Sequence, residues 1–159
     1  MLWCWCCPVL KGPFTYRVLD STVSILDSKK GRPEADFPYE DYPRPFPQGS
    51  ALLHPISTRA QALIARLNAG HSSYSKRELK ASTPVHQVGG IPYLLQGTDY
   101  QSDWADELRC PTCGHSMALF ASVGNRCFDP RGLCGNDFVQ VLFHVCFDDG
   151  VVTAIQQCD

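Results

Sequence analysis

The sequence predicts an α+β domain with a mostly antiparallel β-sheet, one main helix packed on it and a proline-rich strap on its surface. Three observations lead to this fold class: β-forming segments near the N-terminus, one segment with helix start and stop signals, and an alternating apolar pattern that turns back on itself at the C-terminus. At 159 residues the chain can bury a hydrophobic core within a single domain, which we place over residues 1–159.

Three extended segments precede the helix. Residues 2–7 are apolar, alternate with a period of two and stop at a proline, which predicts a buried strand carrying Cys4 and Cys7. Residues 14–20 and 23–27 are rich in β-forming side chains and are separated by a short polar interruption. These two segments therefore predict an antiparallel ribbon.

A proline-rich segment over residues 32–49 follows the ribbon. Prolines alternate there with aromatic residues, namely Pro33, Phe37, Pro38, Tyr39, Tyr42, Pro43, Pro45, Phe46 and Pro47. Proline fixes φ and lacks an amide donor, so this density forbids a helix and a central strand and predicts an extended, polyproline-like strap. Its aromatic rings favour a strap pinned to the surface, and a peptide-binding or partner-binding loop is the alternative.

The clearest helix signal covers residues 57–69. Thr58 and Gln61 have the spacing of a capping box, in which each side chain satisfies a free amide at the helix start. Ala60, Leu63, Ile64 and Leu67 form one apolar stripe on the predicted helix. Gly70 supplies the left-handed residue that ends a helix. The stripe predicts a helix that lies on the sheet.

A backbone corner follows the helix. Gly89 and Gly90 stand close to Pro92, and this combination predicts a corner that leads into a short strand. Neither phosphate-binding glycine pattern is present in the sequence, so the two glycines do not indicate a phosphate loop.

The C-terminal part of the chain has the strongest β-signal. Residues 118–123 predict a core strand, and residues 138–147 alternate between two sets of side chains. A turn at Asp149 and Gly150 then leads into residues 151–155. The pattern predicts a hairpin with Cys146 near its turn and Cys158 at its far end.

Charge and cysteine content narrow the partners and the compartment. The net charge of -2 gives no general attraction to nucleic acid or to anionic lipid, and we expect neither as a partner. The first ten residues lack a basic region and a cleavage site, so we expect a cytoplasmic protein. Disulfides seldom persist in that compartment, and the nine cysteines are more typical there of metal ligands, catalytic groups or buried apolar residues.

The cysteine spacing predicts a structural zinc site. Cys110 and Cys113, with Pro111 between them and Gly114 after them, have the pattern of a zinc knuckle, whose turn directs backbone amides at the sulfurs. Cys4 and Cys7 repeat this spacing, and we predict that they complete the site. The alternatives for the second half of the site are Cys146 with Cys158, Cys127 with Cys134, or replacement of one sulfur by His115 or His144.

Catalytic patterns are weaker than the metal pattern. A nucleophile could be sought at Cys6, Cys127 or Cys134 beside His86 or His144, but the sequence contains no local hydrolase or metalloprotease motif. The pair Cys110 and Cys113 could also be a redox pair, although Gly114 directly after it suits a knuckle better. The acidic residues Asp99, Asp103, Asp106 and Glu107 form a solvated surface or, alternatively, face a basic protein partner.

Several segments in the second half of the chain resemble a known family. They are His86-Gln87-Val88-Gly89-Gly90-Ile91-Pro92, Gln96, Cys110-Pro111-Thr112-Cys113-Gly114, Met117 and Gln156-Gln157-Cys158-Asp159. In this order they resemble the bacterial YwqG-like domains of unknown function. The resemblance implies a β-rich fold without an established activity, and some members lie in toxin and immunity gene neighbourhoods. The simplest members lack the metal ligands, so the zinc prediction depends on the cysteines of this chain.

Two functional hypotheses follow from these patterns. The first is a non-enzymatic protein-binding module stapled by structural zinc, in particular an immunity protein that binds and neutralises a cognate bacterial toxin. The second is a cysteine-based redox or metal-handling enzyme. Protected thiols around a tightly held zinc favour the first hypothesis, and exposed thiols of low pKa favour the second.

Overall fold

A computed structural model of the protein describes residues 1–2, 12–28, 52–70, 83–95, 108–124 and 139–158. Its elements in chain order are β1 (Phe14–Leu19), β2 (Thr22–Ser28), α1 (Thr58–Asn68), β3 (His86–Val88), β4 (Ala118–Gly124), β5 (Val139–Cys146) and β6 (Val151–Cys158). The predicted strap and most of the predicted strand over residues 2–7 lie outside the described residues. No helix within these ranges is long and apolar enough to cross a membrane.

The six strands form one sheet in the order β2-β1-β6-β5-β4-β3, and every neighbouring pair is antiparallel. The predicted ribbon of residues 14–20 and 23–27 is confirmed as β1 and β2. The predicted terminal hairpin is confirmed as β5 and β6, whose register runs from Val139 opposite Cys158 to Cys146 opposite Val151. Within the described residues, an antiparallel sheet with one short helix confirms the α+β class, and the strap stays a prediction.

The two faces of the sheet carry different apolar clusters. Leu142 and Ile155 pack with Leu94 on one face, since directly opposed residues of an antiparallel pair point to the same side. Val141, Phe143 and Ala154 pack with Ala121 on the other. The terminal hairpin therefore contributes to both clusters and forms the centre of the domain.

The cap of α1 lies one residue earlier than predicted, at Ser57. The hydroxyl of Ser57, and not that of Thr58, accepts from the amide of Ala60, and the Gln61 side chain donates to the carbonyl of Ile56. Adjacent Ser and Thr can both cap a helix, so the sequence pattern alone does not separate them. Gly70 has a φ of 71°, as predicted for the residue that ends the helix.

The last helical residue connects α1 to the sheet. The buried Asn68 side chain donates to the carbonyl of Pro92 at 2.8 Å and accepts from the amide of Leu94 at 3.0 Å. Leu94 in turn packs against the terminal hairpin. Gly89 and Gly90 form the predicted corner with φ of 73° and 66°, but the short strand precedes the corner as β3 and does not follow it. Pro92 lacks the amide that a strand after the corner would need.

Candidate metal centre

The sheet register brings two turns together at one end of the domain. Ala118, the first residue of β4, lies opposite Val145 near the end of β5. The knuckle that directly precedes β4 therefore lies beside the turn that follows β5. Cys110 and Cys146 are both buried there and form a small cluster with Met117 and Val151.

The first turn is held by its own backbone. The amide of Gly114 donates to the carbonyl of Cys110, and the amide of Cys110 donates to the carbonyl of His115, both at 2.8 Å. The amides of Thr112 and Cys113 donate to the sulfur of Cys110, and that of His115 donates to the sulfur of Cys113. This is the arrangement predicted for a knuckle, because each sulfur receives backbone donors that favour its thiolate form.

The second turn repeats the first with one ligand changed. Cys146-Phe147-Asp148-Asp149-Gly150 follows the spacing of Cys110-Pro111-Thr112-Cys113-Gly114, with a carboxylate in place of the second thiol. The amide of Asp149 donates to the sulfur of Cys146. Gly114 and Gly150 close the two turns with φ of 74° and 61°. The two turns thus share their residue spacing and a left-handed glycine at the same position.

Four ligand atoms from these turns converge. The Sγ atoms of Cys110, Cys113 and Cys146 and a carboxylate oxygen of Asp149 all lie within 4.8 Å of one another. The sulfurs of Cys113 and Cys146 are 3.7 Å apart, and Oδ2 of Asp149 lies 3.2 Å from the sulfur of Cys110 and 3.4 Å from that of Cys146. The described residues therefore supply four atoms that could bind a metal ion.

The spacing of these atoms fits a tetrahedral zinc ion. Zinc–sulfur bonds of about 2.3 Å and zinc–oxygen bonds of about 2.0 Å put tetrahedral ligands about 3.8 Å apart for two sulfurs and about 3.5 Å apart for sulfur and oxygen. The measured separations of 3.7, 3.2 and 3.4 Å differ from these values by a few tenths of an ångström. Thiolates combined with a carboxylate also suit zinc better than calcium or magnesium, which bind oxygen.

The thiols and the carboxylate share protons. Thiol hydrogen bonds from Cys113 and Cys110 lower the pKa of Asp149, and the bond to Asp149 raises the pKa of Cys113 to about 12. Burial opposes ionisation of Cys110, yet the amides of Cys113 and Thr112 outweigh it and lower the pKa of that thiol. The amide of Asp149 favours the Cys146 thiolate, but burial and the neighbouring thiol raise the pKa of Cys146 overall. A bound cation would take the place of these shared protons.

Arg17 connects β1 to the site. One Nη of its guanidinium donates to the hydroxyl of Thr112 in the first turn, and its charge lowers the pKa of Asp149 in the second. The backbone of β1 is fixed at the same place, because Arg17 lies opposite Val151 and the amide of Val18 donates to the carbonyl of Gly150 at 2.8 Å. Three thiolates and a carboxylate around a divalent cation carry excess negative charge, which the guanidinium offsets.

The structure brings only some of the predicted ligands into this cluster. Cys110 and Cys113 lie together in the four-residue cluster, and their role as metal ligands stays a prediction. Cys4 and Cys7, and the alternative pair Cys127 and Cys134, lie outside the described residues. Cys146 belongs to the centre without Cys158, which stands at the opposite end of the hairpin beside Val139.

The two histidines considered as replacements are not members of the cluster. His115 is exposed and contributes its backbone to the first turn. His144 is 2% exposed on β5, and burial lowers its pKa to about 4, so its imidazole is neutral.

Asp149 is the candidate ligand that was not predicted from the sequence. Only thiols and imidazoles were predicted as ligands for the second half of the site. The second turn carries a cysteine, a carboxylate and a glycine at knuckle spacing. A pattern that admits a carboxylate at the fourth position would have found it.

No family model, curated protein or solved structure matches this chain in comparisons with known proteins.

Proposed function

We propose that the protein is a non-enzymatic protein-binding module whose fold is fastened by one structural zinc ion bound by Cys110, Cys113, Cys146 and Asp149. The observation that carries the zinc assignment is the convergence of four ligand atoms from two turns of the same spacing. Four protein ligands close a tetrahedral site, whereas catalytic zinc sites keep a position open for water or substrate. The ion would connect the segment before β4 to the terminal hairpin.

Measurement of bound metal tests the structural assignment. We expect one equivalent of zinc per chain after purification without added metal, and a Cys110→Ser variant that loses the metal and melts at a lower temperature. Its matched control is Cys158→Ser, because Cys158 lies at the far end of the same hairpin. A Cys110→Ser variant that keeps its zinc and its melting temperature would contradict the assignment.

Exposed apolar side chains support the protein-binding part of the proposal. A groove of about 980 Å³ lies between α1 and β3, and its lining includes Leu52, Leu53, Val88 and Ile91. All four of these side chains are exposed, and Leu52 and Leu53 are more than three-quarters exposed. Apolar patches of this kind are typical of surfaces that bind another protein.

We further propose that the partner is a bacterial toxin, which makes the module an immunity protein. This step is supported by the resemblance to YwqG-like domains found beside toxin genes, and by the absence of a catalytic motif in the sequence. Co-expression with the toxin encoded beside the gene should protect cells, and the two purified proteins should form a complex. Lack of both protection and binding would exclude this role and leave the zinc assignment intact.

A cysteine-based redox or metal-handling enzyme is the second candidate, because the exposed Cys113 thiol lies 3.7 Å from the sulfur of Cys146. The acidity of the thiols argues against it. Cys113 is accessible but has a raised pKa, while Cys110 has a lowered pKa but is 1% exposed. Redox cysteines combine access with a low pKa. Rapid thiol modification of the zinc-loaded protein at neutral pH would favour this candidate over the structural one.

A further inference from the structure

In the sheet formed by the described residues, the two edge strands differ in how they are protected. β3 forms one edge and has three residues, which is too short to receive a long partner strand. β2 forms the other edge with seven residues, and residues 22–27 are all exposed. Natural edge strands are blunted by charged side chains, proline, short length or β-bulges. The segment Thr22-Val23-Ser24-Ile25 has none of these features, and the bulge of β2 at Leu26 limits the regular edge to these residues.

The register of β1 and β2 shows which backbone groups face outward. Leu19 and Thr22 close a two-residue hairpin and Val18 lies opposite Val23. The amide of Val18 donates away from β2, to the carbonyl of Gly150. Hydrogen-bonded and non-hydrogen-bonded pairs alternate along an antiparallel ladder, so the amide and carbonyl groups of Val23 and Ile25 also point away from β1. Among the described residues, these two donors and two acceptors have no backbone partner.

The side chains at these positions are apolar and exposed. Val23 is 43% exposed and Ile25 is 62% exposed, and both lie on the face of the sheet that carries Tyr16 and Val18. Ser24 lies between them, and its backbone pairs with Arg17 of β1. Within the described part of the chain, the edge thus combines unpaired backbone groups with β-branched side chains that another strand would cover.

We propose that β2 pairs with β2 of a second copy of this chain, antiparallel about a two-fold axis at Ser24. In this register Val23 lies opposite Ile25 of the other copy, and Ile25 opposite its Val23, so all the outward donors and acceptors meet. The same pairs bring the exposed Val23 and Ile25 side chains together on one face. A parallel pairing in register would instead place the two Asp27 carboxylates side by side.

The charges of β2 are compatible with this register. The paired core from Val23 to Ile25 carries no charge, because Asp20 lies in the hairpin turn with a φ of 52° and Asp27 lies beyond the bulge at Leu26. If the axis lay at Val23, Val23 would pair with its own symmetry mate and the outward groups of Ile25 would have no partner. An axis at Ile25 would leave the outward groups of Val23 without a partner in the same way. The edge is thus self-complementary about Ser24 in the way that a two-fold interface requires. The inference does not depend on the proposed toxin partner.

A charge swap at the axis tests the register directly. Ser24 and its symmetry mate form a closely spaced pair without hydrogen bonds between them, so like charges there repel. Sedimentation velocity of the full zinc-loaded chain between about 1 and 500 µM should show a concentration-dependent dimer. We expect Ser24→Lys and Ser24→Asp each to be monomeric, and an equimolar mixture of the two variants to form a dimer containing one copy of each.

A second variant tests the backbone part of the proposal. Val23→Pro removes an outward amide without breaking the pairing with β1, and proline is tolerated at such edge positions. The symmetric dimer would lose two hydrogen bonds and dissociate with a Kd raised about tenfold or more. Val88→Lys on the β3 edge is the control, since Val88 is also exposed and lies at the other side of the sheet.

Circular dichroism and zinc content establish that each variant is folded. A wild-type protein that stays monomeric over the whole concentration range would overturn the proposal. So would Ser24 variants that dimerise like the wild type, a mixture of them that stays monomeric, or a Val88→Lys variant that loses the dimer.

Discussion

Replacement of Cys146 by serine is the sharpest perturbation of the metal centre. The Cys146 sulfur lies 3.7 Å from that of Cys113 and 3.4 Å from Oδ2 of Asp149, and it comes from the turn that sequence reasoning did not choose first. Serine has a similar shape but its hydroxyl is a poor zinc ligand. A centre formed by Cys110, Cys113 and Asp149 alone would remain.

The number of ligands sets the size of the effect. Structural zinc sites bind with about 10–16 kcal/mol, so an equal share for each of four ligands is about 2.5–4 kcal/mol and the Kd rises by about two to three orders of magnitude. With free zinc at about 100 times the wild-type Kd, zinc stabilises the wild type by about 2.7 kcal/mol and a hundredfold weaker variant by about 0.4 kcal/mol. The difference of about 2.3 kcal/mol lowers the melting temperature by about 5–9 °C.

Competition with a chromophoric chelator gives the zinc Kd, and thermal unfolding at buffered free zinc gives the melting temperature. Cys158→Ser is the matched control and should change neither quantity, because Cys158 lies opposite Val139 at the far end of the hairpin. Cys4→Ser and Cys7→Ser compare the two proposed halves of the site directly. The reasoning would be refuted if Cys146→Ser raised the Kd less than about threefold while Cys4→Ser or Cys7→Ser abolished binding.

Three further changes test the surroundings of the centre. Gly150→Ala should destabilise the protein by about 2 kcal/mol or more, because Gly150 has a φ of 61° and an added Cβ would collide with the carbonyl oxygen of Val18. Urea unfolding measures this loss, and a value below about 0.5 kcal/mol would contradict the prediction. Arg17→Met should raise the zinc Kd about 10–100-fold, because the contact with Thr112 and the charge beside Asp149 are lost. Arg17→Lys should have a smaller effect, and Arg66→Met on the helix should leave the Kd unchanged. Burial lowers the pKa of His144 to about 4, below the value of 6.5 for an exposed imidazole, so between these pH values the unfolded chain binds a proton that the folded chain does not. Metal-free protein should therefore lose up to about 3 kcal/mol of unfolding free energy as the pH falls from 6.5 to 4. An equally steep loss in His144→Gln would contradict the assignment to His144.

The local elements could be predicted from sequence because their signals are local. Periodicity and β-forming composition locate β1, β2, β5 and β6, and the apolar stripe and Gly70 locate α1. The cap was displaced from Thr58 to Ser57 because two adjacent hydroxyl residues offer the same chemistry. The short strand before the Gly89 corner carries too few residues for a periodic signal.

The metal centre could be predicted only in part. Cys110 and Cys113 are three residues apart, so their proximity is a property of one turn. The proximity of Cys146 to them depends on the pairing of Ala118 with Val145, which is a register between strands and is not visible in the sequence. Asp149 was missed for a chemical reason, since a carboxylate at knuckle spacing occurs on many surface turns without a metal.

The outward-facing backbone groups of β2 could not be predicted from the sequence. Sequence alone predicts β2 as a strand, but its position in the sheet decides whether its backbone is paired. Only the strand order and the bond from Val18 to Gly150 show that the amide and carbonyl groups of Val23 and Ile25 face outward.

X-ray absorption at the zinc K-edge of the purified protein tests the central claim most directly, because it counts the sulfur atoms bound to the metal. Ligation by Cys110, Cys113, Cys146 and Asp149 predicts three sulfur atoms at about 2.3 Å and one oxygen at about 2.0 Å, and the same count in Cys4→Ser protein. Four sulfur atoms at about 2.3 Å, reduced to three by Cys4→Ser, would contradict the account and return the second half of the site to Cys4 and Cys7.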